Sequence, residues 1–274
     1  MEVKIAVLVD NISGLPPFRA EHGLAMWLEV DGRSFLWDVG QSDIAVHNAR
    51  ILGLDLRAVE GIGLSHGHLD HAGGLLETLY TTGPKKIYTH PVAWAPRYGI
   101  FGSIKRFAGI PLRKDACETL CESIEMNRGP VEVLPDVWLT GEVPRVTDFE
   151  GPEPMLFIEK DGELVPDPFD DDQALVVKKP DGCVVLTGCA HSGLVNILEH
   201  VADRYGPVKA VCGGTHLGMG APDAKIEATM DYLQEILPEK MMINHCTGTV
   251  VMSRMLDRFG DRFVPGMTGL TMTF

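Results

Sequence analysis

Four metal-ligating side chains fall within the six positions His66-Gly67-His68-Leu69-Asp70-His71. Imidazole and carboxylate at this density are the donors that a borderline divalent cation prefers. Side chains of an extended chain alternate with a period of two, so His66 and His68 project to one side and reach one ion. Asp70 and His71 fall past the turn, at the start of a helix, and face a neighbouring position. Gly67, Gly73 and Gly74 allow the tight backbone that this crowding requires. Three later histidines stand in glycine-rich or strand-end contexts: Gly188-Cys189-Ala190-His191, Gly213-Gly214-Thr215-His216 and Asn244-His245-Cys246. His22, His47, His90 and His200 lack such surroundings and read as ordinary surface or core histidines. Cys117 and Cys121 are spaced four apart without a second pair, a weak zinc signal.

These side chains need elements to carry them. Gly23–Val30 and Ser34–Val39, separated by Asp31-Gly32-Arg33, read as a β-hairpin with a glycine-containing turn. Ser42 is the expected N-cap of a helix over Asp43–Leu52, and Gly53 its stop. Val59–Leu64 reads as a short buried strand and Ala72–Tyr80 as a helix, so the His/Asp cluster sits on a strand-to-helix loop. Residues 91–170 are rich in Pro and Gly, with only short strand candidates at Val137–Thr140 and Met155–Lys160, and read as an irregular insertion covering the site. Regular alternation then resumes: strands Ala174–Lys178 and Cys183–Thr187, helix Leu194–Arg204, strand Val208–Cys212, helix Pro222–Ile236, strand Met241–Asn244 and helix Thr249–Phe259. The pattern predicts an α/β fold, a four-layer αββα sandwich in one domain over residues 1–274.

The 274 residues, 45% hydrophobic and 23% charged, suit a globular core and argue against disorder. No run approaches the roughly 20 apolar residues of a membrane span, and the N-terminal apolar run is too short for an export signal. The expected compartment is the cytoplasm, with the six cysteines reduced. A net charge of −14 disfavours nucleic acid as a partner. The charge is uneven, however. Residues 84–114 hold seven cations, Lys85, Lys86, Arg97, Lys105, Arg106, Arg113 and Lys114, and no acid. Such a segment can focus an anionic small molecule toward a site, and Lys105, Arg106 and Arg113 are its candidate contacts. Trp94, Tyr98, Phe101 and Phe107 interleave with these charges and either stack on a flat ring or pack the insertion onto the domain.

Ser65 to Leu75, Ser-His-Gly-His-Leu-Asp-His-Ala-Gly-Gly-Leu, resembles the His-x-His-x-Asp-His signature of the metallo-β-lactamase superfamily. Leu36-Trp37-Asp38-Val39-Gly40 is similar to the family's first motif, whose Asp orients ligand imidazoles from behind, and the resemblance carries that role to Asp38. It implies a pair of divalent ions, Zn foremost with Mn and Fe as alternatives. One would be held by His66, His68 and His191, the other by Asp70, His71 and His245. The family's strand like Val184–Gly188 commonly ends in an Asp that bridges the metals; here Cys189 stands there. The family's upstream ligand histidine is replaced by Asp170-Asp171-Asp172, which leaves Asp172 as an open candidate. His216 is open among ligand, substrate contact and general acid.

Glu21-His22-Gly23-Leu24, Gly188-Cys189-Ala190-His191-Ser192-Gly193, Gly213-Gly214-Thr215-His216-Leu217 and His245-Cys246-Thr247-Gly248 resemble, over nearly the whole chain, the group that includes the archaeal dihydropterin-ribofuranosylaminobenzene-phosphate synthase. Two enzymatic readings follow from the resemblance, both with Asp70 and His216 at the chemistry. The first is hydrolysis of an anionic, phosphorylated small molecule by a metal-bound hydroxide. The second is a transferase joining a dihydropterin-methyl diphosphate to an aminobenzene ribofuranosyl phosphate with release of diphosphate. A non-catalytic metal or ligand sensor is the reading from a different class.

Overall fold

The first strand, Val3–Val9, shows how the layers arise. Its apolar side chains alternate: Ile5 and Val7 enter the core between two sheets, whereas Ala6 and Leu8 lie beneath helices. Gly182–Leu186 does the same in the second sheet, with Val184 and Leu186 between the sheets and Cys183 and Val185 under the opposite helices. A strand buried on both faces must be mostly apolar, which is why both read as hydrophobic runs, broken only by the half-buried Lys4 in the first. The computed structural model describes residues 1–151 and 153–274.

The first sheet runs, in spatial order, Thr271–Thr273, Val3–Val9, Ala25–Val30, Arg33–Trp37, Gly61–Gly63, Lys86–Thr89 and Ser123–Met126. The second runs Phe263–Pro265, Lys240–Ile243, Val208–Gly213, Gly182–Leu186, Leu175–Lys179, Val137–Leu139 and Val131–Leu134. Helices Ile44–Ile51 and Leu75–Thr82 cover the outer face of the first, and Leu194–Tyr205, Asp223–Ile236 and Thr249–Phe259 that of the second. This is the αββα sandwich that the pattern predicts. Among the described residues no helix is long and apolar enough to cross a membrane.

Local expectations shift in places. The hairpin turn is the two-residue Asp31-Gly32, both at positive φ (48° and 82°), with Val30 paired to Arg33. Asp43, not Ser42, occupies the N-cap of the helix Ile44–Ile51; the Ser42 hydroxyl instead donates to Glu21 Oε2 at 2.6 Å. The helix expected from Ala72 starts earlier, at Leu69, and breaks before Leu75. At that break a Cβ on Gly74 would collide with the carbonyls of Val39 and Ser42, so glycine lets the helix start press against the loop that carries Asp38.

The largest correction concerns residues 91–170, whose described residues include seven strands and one helix. Ser123–Met126, Val131–Leu134 and Val137–Leu139 belong to the two main sheets. What lies over the site is a separate antiparallel sheet, ordered Glu163–Pro166, Leu156–Lys160, Arg97–Phe101 and Ile104–Phe107. These strands are too short for a period of two to stand out among prolines and glycines.

Candidate metal centre

The predicted side chains converge because each follows the C-terminal end of a strand on one edge of the sandwich. Asp38 follows Arg33–Trp37, the His66 loop follows Gly61–Gly63, Cys189 and His191 follow Gly182–Leu186, His216 follows Val208–Gly213, and His245 follows Lys240–Ile243. Four non-glycine residues here lie in the left-handed region: Asp38 (φ 57°), Ala190 (59°), His216 (52°) and His245 (53°). Such backbone costs energy and persists where surrounding structure over-determines it.

Asp38, fully buried, sets the protons. Its Oδ1 accepts from the Ser65 amide at 2.7 Å, and its Oδ2 from the Ser65 hydroxyl and His71 Nδ1, each at 2.7 Å. A carboxylate only accepts, so Ser65 donates to it, and the hydroxyl oxygen is left to accept from His66 Nδ1 at 2.9 Å. His66 Nε2 is thereby bare, and it faces His68 Nδ1 at 3.0 Å; His191 Nε2 faces the same atom at 3.2 Å. The three nitrogens can share at most one proton. Burial, and then the neighbouring imidazoles, hold His66 well below the usual histidine range. Burial and the Arg97 charge bring His68 down to about 3. Neutral ring nitrogens converging in a buried space fit a cation. Phe169 stacks flat on the His191 ring at 4.2 Å and fixes its plane.

The second cluster adjoins the first. His71 Nε2 lies 3.1 Å from His245 Nε2 and 3.0 Å from Cys189 Sγ, and Asp70 Oδ2 is 3.3 Å from His245 Nε2. Burial alone would depress His71, but the carboxylates of Asp38 and Asp70 lift it to about 9, and the same two carboxylates would favour a cation at this position. Asp10 Oδ1 accepts from the His245 amide at 2.7 Å, and His245 Nδ1 lies 2.9 Å from Asn11 Oδ1, which turns Nε2 toward the cluster. Asp70, His71, Cys189 and His245 place one donor atom each within 4.8 Å of one another, as do His66, Cys189 and His191.

Other predicted residues stand further off. Asp172 accepts from the Ser192 amide at 2.7 Å, outside both clusters, and burial raises its carboxyl to about 6; it anchors the loop bearing His191. His216 lines the cavity above the clusters, its ring 4.3 Å from that of His191 and its Nδ1 3.1 Å from Glu153 Oε1. The basic segment does not act as a unit. Arg97 is buried against Asp167 (2.8 Å) and Asp171 (2.7 Å), and Arg113 pairs with the acid just past the segment, Asp115 (3.0 Å). Lys114 pairs with Glu118, Lys86 with Glu122, Lys85 donates to the Arg57 carbonyl, and Lys105 lies over the Tyr98 ring. Of the three contact candidates only Arg106 lines the cavity; Lys105 and Arg113 do not. Trp94 donates to the Leu112 carbonyl and packs in the helix-side core, while Phe101 and Phe107 line the cavity.

Sequence reasoning missed His22, Arg97 and Asp171. His22 is no ordinary histidine: its Nε2 lies 3.3 Å from Asp70 Oδ2 and its ring 5.2 Å from that of His245. The signal was Glu21-His22-Gly23, since Glu21 accepts from the Gln41 and Ser42 amides and a Cβ on Gly23 would strike the Asp70 carbonyl. Asp171 accepts from the Gly67 amide at 2.8 Å and forms an ion pair with Arg97, and so ties the ligand loop to the covering sheet.

A family model described as the metallo-beta-lactamase superfamily matches residues 19–226. The chain belongs to this superfamily. Among superfamily relatives, an uncharacterized protein of Methanocaldococcus jannaschii is 30% identical over 97% of the chain and 98% of its own length. The 7,8-dihydropterin-6-methyl-4-(beta-D-ribofuranosyl)-aminobenzene-5'-phosphate synthase of the same archaeon is 25% identical over 95% of the chain and 93% of its length. The crystal structure of Tm1679, a metal-dependent hydrolase of the beta-lactamase superfamily, superposes with a TM-score of 0.85 at 31% identity, covering 98% of each chain.

Proposed function

We propose that this chain is a metal-dependent hydrolase of a small anionic, phosphorylated substrate, working at a dinuclear site. The observation that carries the reading is that members of both donor sets, His68 and His191 from one and Asp70 and His245 from the other, line one cavity of about 270 Å³, whose lining among the described residues includes a single arginine, Arg106. His66, His68 and His191 would hold one ion and Asp70, His71 and His245 the other, with zinc favoured by the imidazole-rich set. Bound there, the ions would supply an activated water and positive charge against the negative charge that develops in hydrolysis. The chain's own residues do the rest. Asp38 fixes the orientation of His71 directly and of His66 through Ser65, while Arg106 and His216 contact the substrate. The covering sheet limits access of bulk water to the floor. Its six cysteines, all free, suit a reducing compartment such as the cytoplasm.

The relation to the archaeal synthase supports a second reading, transfer of a pterin-methyl group with loss of diphosphate. Purified protein with its metals quantified, offered phosphodiesters, lactones and pterin diphosphates, separates the two by which bond is cleaved and whether an arylamine is needed. His68→Ala should remove one ion per chain and lower turnover by about a hundredfold or more. Full activity with two ions retained would overturn the dinuclear assignment.

A further inference from the structure

Assigning three ligands to each ion leaves one member of the two donor groups unplaced. Cys189 Sγ lies 3.0 Å from His71 Nε2 and falls within the 4.8 Å donor group of Asp70, His71 and His245. The same sulfur falls within the donor group of His66 and His191. Among the described residues it is the one side chain common to both groups. We infer that Cys189 is the shared ligand, its thiolate joining the two metal positions. The inference rests on the two-ion reading above and adds the atom that couples the ions.

Reach and placement agree with this. Zinc bonds of about 2.3 Å to sulfur and about 2.0 Å to nitrogen put two donors of one tetrahedral ion roughly 3.5 Å apart, within the span of both groups. Cys189 follows the strand Gly182–Leu186 and precedes Ala190 in the left-handed region, a turn that sends the Cys189 and His191 side chains to the same floor. A Cβ on Gly214 would strike the Gly188 carbonyl and the Cys246 sulfur, so glycine there lets the strand end just before Cys189 approach. Cys246 is adjacent but committed elsewhere: its sulfur accepts from the His216 amide at 3.2 Å, and it belongs to neither group. On metal binding the Cys189 thiol proton passes to solvent, and the soft donor biases the pair toward zinc or iron over manganese or magnesium.

Cobalt(II) titration of the chelator-treated full chain tests this without any substrate. Two ions should bind per chain, and a thiolate-to-cobalt charge-transfer band should grow over both the first and the second equivalent. Cys189→Ser should abolish the band and weaken both sites by about tenfold or more, whereas Cys246→Ser should keep it. Cys189→Asp supplies a carboxylate instead and should bind two ions without the band, which guards against a serine variant that fails to fold. A band confined to one equivalent, with only one site weakened in Cys189→Ser, would make the cysteine a terminal ligand and overturn the inference. So would two bound ions with no band. Binding of a single ion by the wild-type chain would instead overturn the two-ion reading, and the shared ligand with it.

Discussion

The cavity floor and the sheet that roofs it line one cavity and are built on opposite terms. On the floor, His66, His68, His71, His191 and His245 are at most 6% exposed, and Asp38, Ser65, Asp10 and Asn11 hold His66, His71 and His245 in orientation. In the wall above, Phe101, Phe107, Met155 and Met219 remain 39–45% exposed around Arg106. A floor that must hold closely spaced donors gains from pre-organised hydrogen bonds. A wall of exposed apolar groups can change its side chains at little cost to stability, which suits it to selecting the substrate's body. Under the proposed hydrolysis, the interlocked region would carry the chemistry and the loosely tied one the specificity.

Arg97 is where the two regions meet, so its loss should be felt most. Arg97→Met leaves Asp167 and Asp171 buried without their cation and should destabilise the chain by about 3–5 kcal/mol in urea denaturation. A change below about 1 kcal/mol would show that roof and floor are stable independently of this clamp. Next comes the floor itself. Asp38→Asn keeps the shape but puts an N–H where a lone pair is needed, and should weaken metal binding by about 10- to 100-fold with a small change in melting temperature. Unchanged affinity, read by competition with a chelating dye, would mean that Ser65 and the backbone alone orient the imidazoles. The smallest effect belongs to the roof. Phe107→Ala should raise KM for aromatic phosphodiesters several-fold, leave kcat and metal content alone, and shift stability by no more than about 0.5 kcal/mol. A fall in metal content would blur the division between floor and roof.

How far the sequence could be read follows the same boundary. The His66 to His71 cluster was legible because its spacing is local, and the helices and strands between residues 174 and 259 were legible to within a residue or two because apolar runs and their stops are local as well, whereas the three-residue strands Phe263–Pro265 and Thr271–Thr273 were too short to read. Residues 84–114 illustrate the opposite case. They show seven cations and no acid, yet four of those charges, on Lys86, Arg97, Arg113 and Lys114, are met by Asp115 and Glu118 just beyond the segment and by Glu122, Asp167 and Asp171 further along the chain. A local charge count does not contain those partners.

The sequence by itself determined the donor types, the loop that carries four of them, and the layered sandwich whose strand ends present the rest. Alternation of side chains and ligand chemistry are properties of short stretches, and they survive being read without a partner. Only the tertiary structure decided that His22 joins Asp70, that Arg97 clamps a loop instead of recruiting an anion, and that Cys189 stands between two donor sets. Each of these depends on which strand end lies beside which, and that is settled by packing across the whole sandwich.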